Sequence, residues 1–194
     1  MIVATDTSFM KRLLPTILLA FLLSCQAAPE PSATTRAAAV EATAREYFAT
    51  FAERTDWEKL CAFYREDLEF EDVLLQIKLD SLWKFKRFYR WDEEGDRFRK
   101  LSPDQKHLSV ASLVVSDSVA VARGRVNPFY YDDNLIDTDW GMDFTIWLYF
   151  DDQLKIRRQV DWFEYDAPVL RAMLERVDRI GHETPPEWLD LTPP

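Results

Sequence analysis

Two aspartates and one arginine carry most of the chemistry open to this sequence. Asp161 stands in an apolar stretch, residues 155–165, in which Gln159, Asp161 and Phe163 alternate onto one face. If that face is interior, the carboxyl is buried, and a buried carboxyl either pairs with a cation or titrates far from its ordinary range. Arg125, in the stretch 118–130, is the cation that a neighbouring strand would bring to it. Asp72 lies in a short strand-like run, 67–75. Together Asp72 and Asp161 could act as acid and base, with Arg125 orienting them and Asn127 donating a hydrogen bond. Each residue also has an architectural use: Asp161–Arg125 as an ion pair locking two strands, and Asp72 as a strand-end acceptor of backbone amides. The remaining reactive types are few. Two His and two Cys are too few for a zinc module or a framework of several disulfides, so no metal and no cofactor is expected.

The elements that must position these residues begin only after an address. Lys11 and Arg12 are followed by an apolar run from Leu13 to Leu23, about 11 residues, which suits a signal peptide and is too short to span a bilayer. Leu22-Leu23-Ser24-Cys25 resembles a bacterial lipobox, so residues 1–24 are expected to be removed and Cys25 to be lipidated. Met10 opens the positive segment directly, and residues 1–9 read as an untranslated extension. Residues 25–37 form a Pro- and Ala-rich tether. The implied location is the bacterial cell envelope, on the periplasmic face of the outer membrane. Losing Lys11, Arg12 and Asp6 takes the net charge from −10 to −11, so attachment rests on lipid rather than on a basic patch. The same acidity argues against a nucleic-acid partner. With Cys25 acylated, Cys61 has no disulfide partner and reads as a small buried hydrophobe.

In the mature chain, Val40, Ala44, Tyr47, Phe48 and Phe51 share one face of a first helix. Thr55-Asp56-Trp57-Glu58 is a capping-box pattern that opens a second helix, with Trp57, Leu60, Cys61 and Tyr64 as its stripe. Asp80-Ser81 caps a third, carrying Leu82, Phe85 and Phe88. Residues 91–107 look polar and irregular, and Asp92-Glu93-Glu94 and Asp132-Asp133 read as solvated loops. From residue 108 the period becomes two, with strands expected at 108–115, 118–130, 140–150 and 155–165. In the third of these, Phe144, Ile146, Leu148 and Phe150 point to the core, leaving Trp147 and Tyr149 on an outer face that a second copy could cover. The pattern of the 118–130 strand leaves its register open. Arg123, Arg125 and Asn127 inward would make a polar mouth, whereas Ala120, Ala122 and Gly124 inward would make a tight core. A closing helix is expected from Ala167-Pro168, and residues 181–194 form an irregular Pro-rich tail. Helices first and meandering strands afterwards mean an α+β domain, residues 38–180: a curved antiparallel sheet wrapped as a cone around N-terminal helices, with a C-terminal helix. Such a cone can hold a ligand.

Three stretches give this order a family resemblance. DWEKLCAFYREDLEFED (56–72), YFDDQLKI (149–156) and DWFE (161–164) resemble the second helix and following strand, the hairpin and the final-strand motif of the nuclear-transport-factor-2-like, or SnoaL-like, superfamily. The match spans residues 40–177. Against ketosteroid isomerase, the resemblance places the general base on Asp72, the oxyanion tyrosine on Phe48 and the protonated aspartate on Ile146, so both donors are missing. Against limonene-epoxide hydrolase, an Arg-x-Asp motif falls on Arg125-Val126-Asn127 and the final-strand aspartate on Asp161. Scytalone dehydratase-type chemistry calls for pocket histidines, and neither His107 nor His182 falls in a pocket motif. The resemblance implies a cone that takes a small apolar molecule among Phe48, Tyr64, Asn127, Phe144, Ile146 and Phe163. It leaves open an acid–base lyase, isomerase or hydrolase using Asp72 and Asp161, and an envelope assembly module.

Overall fold

A computed structural model of the protein describes residues 33–139, 141–167 and 170. The expected signal peptide, Cys25, the start of the tether, nearly all of the closing helix and the tail lie outside them.

Helix α1, Ala33–Glu53, buries Val40, Ala44, Tyr47, Phe48 and Phe51 along one face, as the spacing predicts. It stops at Arg54, which adopts a left-handed conformation (φ 50°) while its N–H donates to the Thr50 carbonyl. Asp56 then caps a short helix α2, Trp57–Cys61, by accepting the Lys59 N–H at 2.8 Å. This helix is shorter than expected. Tyr64 does not continue its stripe but opens strand β1, Tyr64–Asp72, and reaches the core from the sheet. Strand β2, Ile77–Leu79, helix α3, Leu82–Tyr89, and helix α4, Trp91–Glu94, follow. Residues 91–107 are therefore not irregular: beyond α4 they include a 3₁₀ turn, Gly95–Arg97, and strand β3, Phe98–Lys100.

Strands β4, Leu108–Val115, and β5, Val119–Val126, come next, then the hairpin β6, Phe129–Tyr131, and β7, Asn134–Ile136. Asp132 and Asp133, at φ 49° and 61°, form its two-residue turn of the mirror-image type that suits strand twist. Arg97 and Arg99 pin the two carboxylates. Strands β8, Asp143–Phe150, and β9, Ile156–Phe163, complete the chain order. The main sheet runs β2-β1-β9-β8-β5-β4, and a small second sheet runs β3-β6-β7. Four of the main sheet's pairings are antiparallel. The fifth, β1 with β9, is parallel, and it sets Asp72 opposite Asp161. Register breaks in β1, β4 and at the end of β8 supply the irregularities that let the sheet curve over the helices.

The open register of β5 is resolved by packing. Ala120, Ala122 and Val126 are buried, and Gly124 faces inward against the Phe144 ring. A Cβ at Gly124 would lie 2.1 Å from the Ser109 carbonyl oxygen, so this strand can approach its neighbours only without a side chain there. Arg123 and Arg125 consequently point outward. Trp147 and Trp162, 42% and 51% exposed, also lie on that outer face. Among the described residues no helix is long and apolar enough to cross a membrane, and no cluster of three or more His, Cys, Asp or Glu is arranged to hold a metal ion. Cys61 is buried and unpaired, and burial pushes its thiol up to about 12.

Candidate functional site: a cavity with two polar ends

The concave side of the sheet borders a partly open cavity of about 700 Å³. Its wall is largely apolar, with Phe51 from α1, Leu75 after β1, Val126 from β5, Phe129 from β6, Met142 before β8 and Phe163 from β9. Exposed Leu135 and Ile136 of the β6–β7 hairpin flank it. Polar side chains gather in two groups.

The first group surrounds the aspartates. Asp161 is fully buried, and β9 turns it inward beside Gln159 and Phe163, as alternation predicts. Its Oδ2 accepts from Tyr89 Oη at 2.7 Å and its Oδ1 from Gln159 Nε2 at 2.8 Å. Gln159 Oε1 in turn lies 2.6 Å from Tyr64 Oη and 3.0 Å from Tyr47 Oη, and the two hydroxyls lie 2.8 Å apart; with one proton each, they make two of these three bonds at a time. Burial drives the Asp161 carboxyl up to about 8, and the nearby Asp72 adds to the rise against the pull of the Tyr89 and Gln159 bonds. Burial also raises Asp72, which accepts from the Leu75 N–H at 2.9 Å and from Tyr165 Oη at 3.0 Å. Asp72, Tyr89 and Tyr165 line the cavity. Asp161 sits behind Tyr89, so a ligand meets the tyrosine hydroxyl before the carboxyl.

The expected Asp161–Arg125 pair does not form. The β5–β8 register places Arg125 opposite Asp143, and its Nε lies 3.3 Å from that carboxylate on the outer face. Asn127 is likewise away from the cavity: its Nδ2 donates to the Lys106 carbonyl at 2.7 Å and to Ser109 Oγ at 2.9 Å, tying β5 to the start of β4. Phe48, Phe144 and Ile146 are core residues outside the cavity wall, and Tyr64 belongs to the Gln159 network. Of the six residues named from sequence as ligand contacts, Phe163 lines the cavity.

The second group was not legible in the sequence. Arg54 leaves α1 in its left-handed turn and packs its guanidinium 4.6 Å above Trp91 and 4.0 Å from the Phe98 ring centre. Its Nη2 donates to both Glu94 oxygens, at 2.6 and 2.8 Å, in a pair with side chains only 11% and 13% exposed. Glu94 is thus not part of a solvated run. His107, set against Phe98 and Phe129, has its Nε2 3.1 Å from Arg54 Nη1. A guanidinium can only donate, so Nε2 must accept and the ring proton sits on Nδ1. Burial, with the charges of Arg54 and Lys100, lowers the His107 pKa well below its usual value and keeps the ring neutral. Arg54, Trp91, Glu94 and His107 all line the cavity, so His107 is a cavity residue despite lacking a motif. Helical spacing could place Arg54 at the end of α1, but nothing local marks residues 91 and 107 as its partners.

No family model matches the sequence, and no curated protein matches it significantly. Solved structures do. A protein of Shewanella putrefaciens CN-32 described as a SnoaL-like polyketide cyclase superposes with a TM-score of 0.52 at 19% identity, covering 70% of this chain and 97% of its own. Another so described, from Shewanella denitrificans OS-217, gives 0.51 at 17%, covering 71% and 97%. An NTF2-like protein of Anabaena variabilis ATCC 29413 gives 0.50 at 13%, covering 68% and 91%. The fold is nuclear-transport-factor-2-like. In this NTF2-like cone Phe48 and Ile146 are apolar and buried, whereas Asp72 lines the cavity.

Proposed function

We propose that this protein is an exported lipoprotein whose SnoaL-like cone binds a small, largely apolar molecule. The observation that carries the reading is the cavity itself: about 700 Å³, walled mainly by aromatic and aliphatic side chains, with few polar groups. An apolar ligand would gain roughly 25 cal/mol per Å² of surface taken from water. The lipobox-like Leu22-Leu23-Ser24-Cys25 supports envelope anchoring through lipid on Cys25. The outer sheet face with Trp147 and Tyr149 is the surface through which a second copy would pack.

A direct test titrates the neutral fluorophore N-phenyl-1-naphthylamine into the protein and into Met142→Trp, whose larger side chain narrows the cavity. Saturable binding that weakens in the variant supports the reading; equal binding by both proteins contradicts it. For the anchor, Cys25→Ala should abolish palmitate incorporation, and unchanged labelling would sink that claim.

The placement of Asp72 favours one second reading, an acid–base lyase, isomerase or hydrolase. Asp72 would exchange a proton with the ligand, and Asp161 would act on it through Tyr89. Arg125 and Asn127, on or near the outer surface, have no part in this version. Its test is solvent-deuterium exchange into a bound ketone, absent in Asp72→Asn.

A further inference from the structure

We propose that strand β4 is an interface at which a second copy of this chain adds its own β4, antiparallel, so that two sheets become one. The main sheet runs from β2 at one edge to β4 at the other, and the edges are finished differently. β2, Ile77–Leu79, is 3 residues long and carries the exposed Lys78, a short and charged edge of the kind that resists pairing. β4, Leu108–Val115, is 8 residues long, LSVASLVV, with no charge and no proline. Its Val110 and Val114 are 41% and 69% exposed. Among the described residues no strand pairs with its free side. A long, uncharged, apolar edge is a template for another strand.

The existing hydrogen bonds fix which backbone groups face outward along that edge. The Asn127 N–H donates to the His107 carbonyl and the Ser116 N–H to the Val119 carbonyl, so positions 107 and 116 bond toward β5. Alternation from each end then turns the N–H and C=O groups of Leu108, Val110, Leu113 and Val115 away from β5. The register break between Val110 and Ser112 changes the parity midway. The same residues share the inner face, because their partners on β5 are Val126, Gly124, Ala122 and Ala120. The break therefore makes the strand palindromic. Turned end for end, Leu108 meets Val115 of the second copy and Val110 meets its Leu113, with bonding groups and faces both matched. That register also brings Lys106 opposite Asp117 of the second copy, and a two-fold axis repeats the pair. Both side chains belong to exposed residues, and the Lys106 ammonium reaches Glu53 only at 4.0 Å. For a chain of net charge −10 a copy is repelled over much of the surface, whereas this edge is neutral along its length and complementary at its ends. The apolar groove between β4 and α1, lined by Phe48, Ala49, Val110 and Leu113, would be covered by the same contact. The interface is distinct from the outer face with Trp147 and Tyr149 and leaves that face open.

The test is sedimentation velocity on the full chain in excess mild detergent, at neutral pH and low salt, over a dilution series. The native protein should form a dimer that dissociates on dilution. Lys106→Asp and Asp117→Lys should each raise the dissociation constant about tenfold, by turning two attractive pairs into two repulsive ones. Asp117→Lys makes the chain less acidic, so charge repulsion in general would predict tighter association there, not weaker. The double exchange Lys106→Asp with Asp117→Lys should restore the native constant. The unaltered protein gives a second reading by amide hydrogen exchange: the N–H groups of Val110, Leu113 and Val115 should be protected at high concentration and lose that protection on dilution. A monomer at every concentration overturns the interface. So does a dimer that both charge reversals leave unchanged and that Trp147→Glu dissolves, since that result assigns the contact to the outer face. Neither outcome touches the reading of the cavity as a ligand site.

Discussion

The two polar ends of the cavity are built from similar materials and finished differently. Around Asp161, the side chains of Tyr47, Tyr64, Tyr89 and Gln159 form a chain of hydrogen bonds that ends on the carboxyl. Around Arg54, the bidentate Glu94 contact is made, but three N–H groups have no partner among the described residues. A completed buried network stabilises one geometry and sets proton affinity, whereas an incomplete one costs stability until something completes it. The first end is closed by its own hydrogen bonds; the second keeps three buried N–H groups without a partner among the described residues.

Substitutions should separate the ends by their effect on the unliganded protein. The largest effect is expected for Gln159→Leu, which strands Asp161 Oδ1 and removes the shared acceptor of two tyrosines. It should lose about 3 kcal/mol in urea unfolding, and a loss near zero would mean the network is not what fixes this end. Tyr89→Phe removes one bond to Asp161 and should cost about 1–2 kcal/mol by the same measurement. Trp91→Phe removes an N–H without a partner among the described residues and trims ring contacts with Phe51, Trp57 and Arg54, so it should cost only about 1 kcal/mol, from packing. A loss as large as that of Gln159→Leu would show that the indole N–H is satisfied and would erase the contrast.

Titration sharpens the same comparison. Asp161 is raised to about 8 in the folded state, against about 4 in the unfolded chain, so the folded protein holds the extra proton between those values. Its contribution is present at low pH and is lost as pH rises through this window. Asp161→Asn should therefore flatten most of the decline in melting temperature between pH 5 and pH 8, leaving the share from Asp72 and the opposing one from His107. His107 acts in the opposite direction. Its pKa is lowered, so its contribution is present above the unfolded value near 6.5 and is lost as pH falls below it. A variant Asp161→Asn with an unchanged pH profile would assign the dependence to other groups.

The sequence carried more of the fold than of the site. The stripe of α1 and the alternation of β8 and β9 are local patterns, and local patterns report burial faithfully; hence Val40 to Phe51, Phe144 to Phe150 and Asp161 fell where their spacing put them. The register of β5 was not local. It depends on Gly124 meeting Phe144 and Ser109 across two strands, and this contact turned Arg125 away from Asp161. The short α2 also escaped the pattern, because Tyr64 keeps a helical spacing from Trp57 although it lies on a strand. The Arg54 cluster joins residues 54, 91, 94 and 107 from a helix end, a short helix and the start of a sheet, and no periodicity links such positions. Polar residues in 91–107 were read as solvated because composition cannot tell a charge that meets a partner from one that meets water.

The claim that this cone is a ligand site is tested most directly by native mass spectrometry of the protein purified from its own cells, beside the Met142→Trp variant, whose larger side chain narrows the cavity. The account predicts a discrete small-molecule adduct on the native protein, in addition to any lipid on Cys25, and a lower occupancy of it on the variant. The same adduct at equal occupancy on both proteins, or none on the native protein under conditions that retain weak complexes, would contradict it.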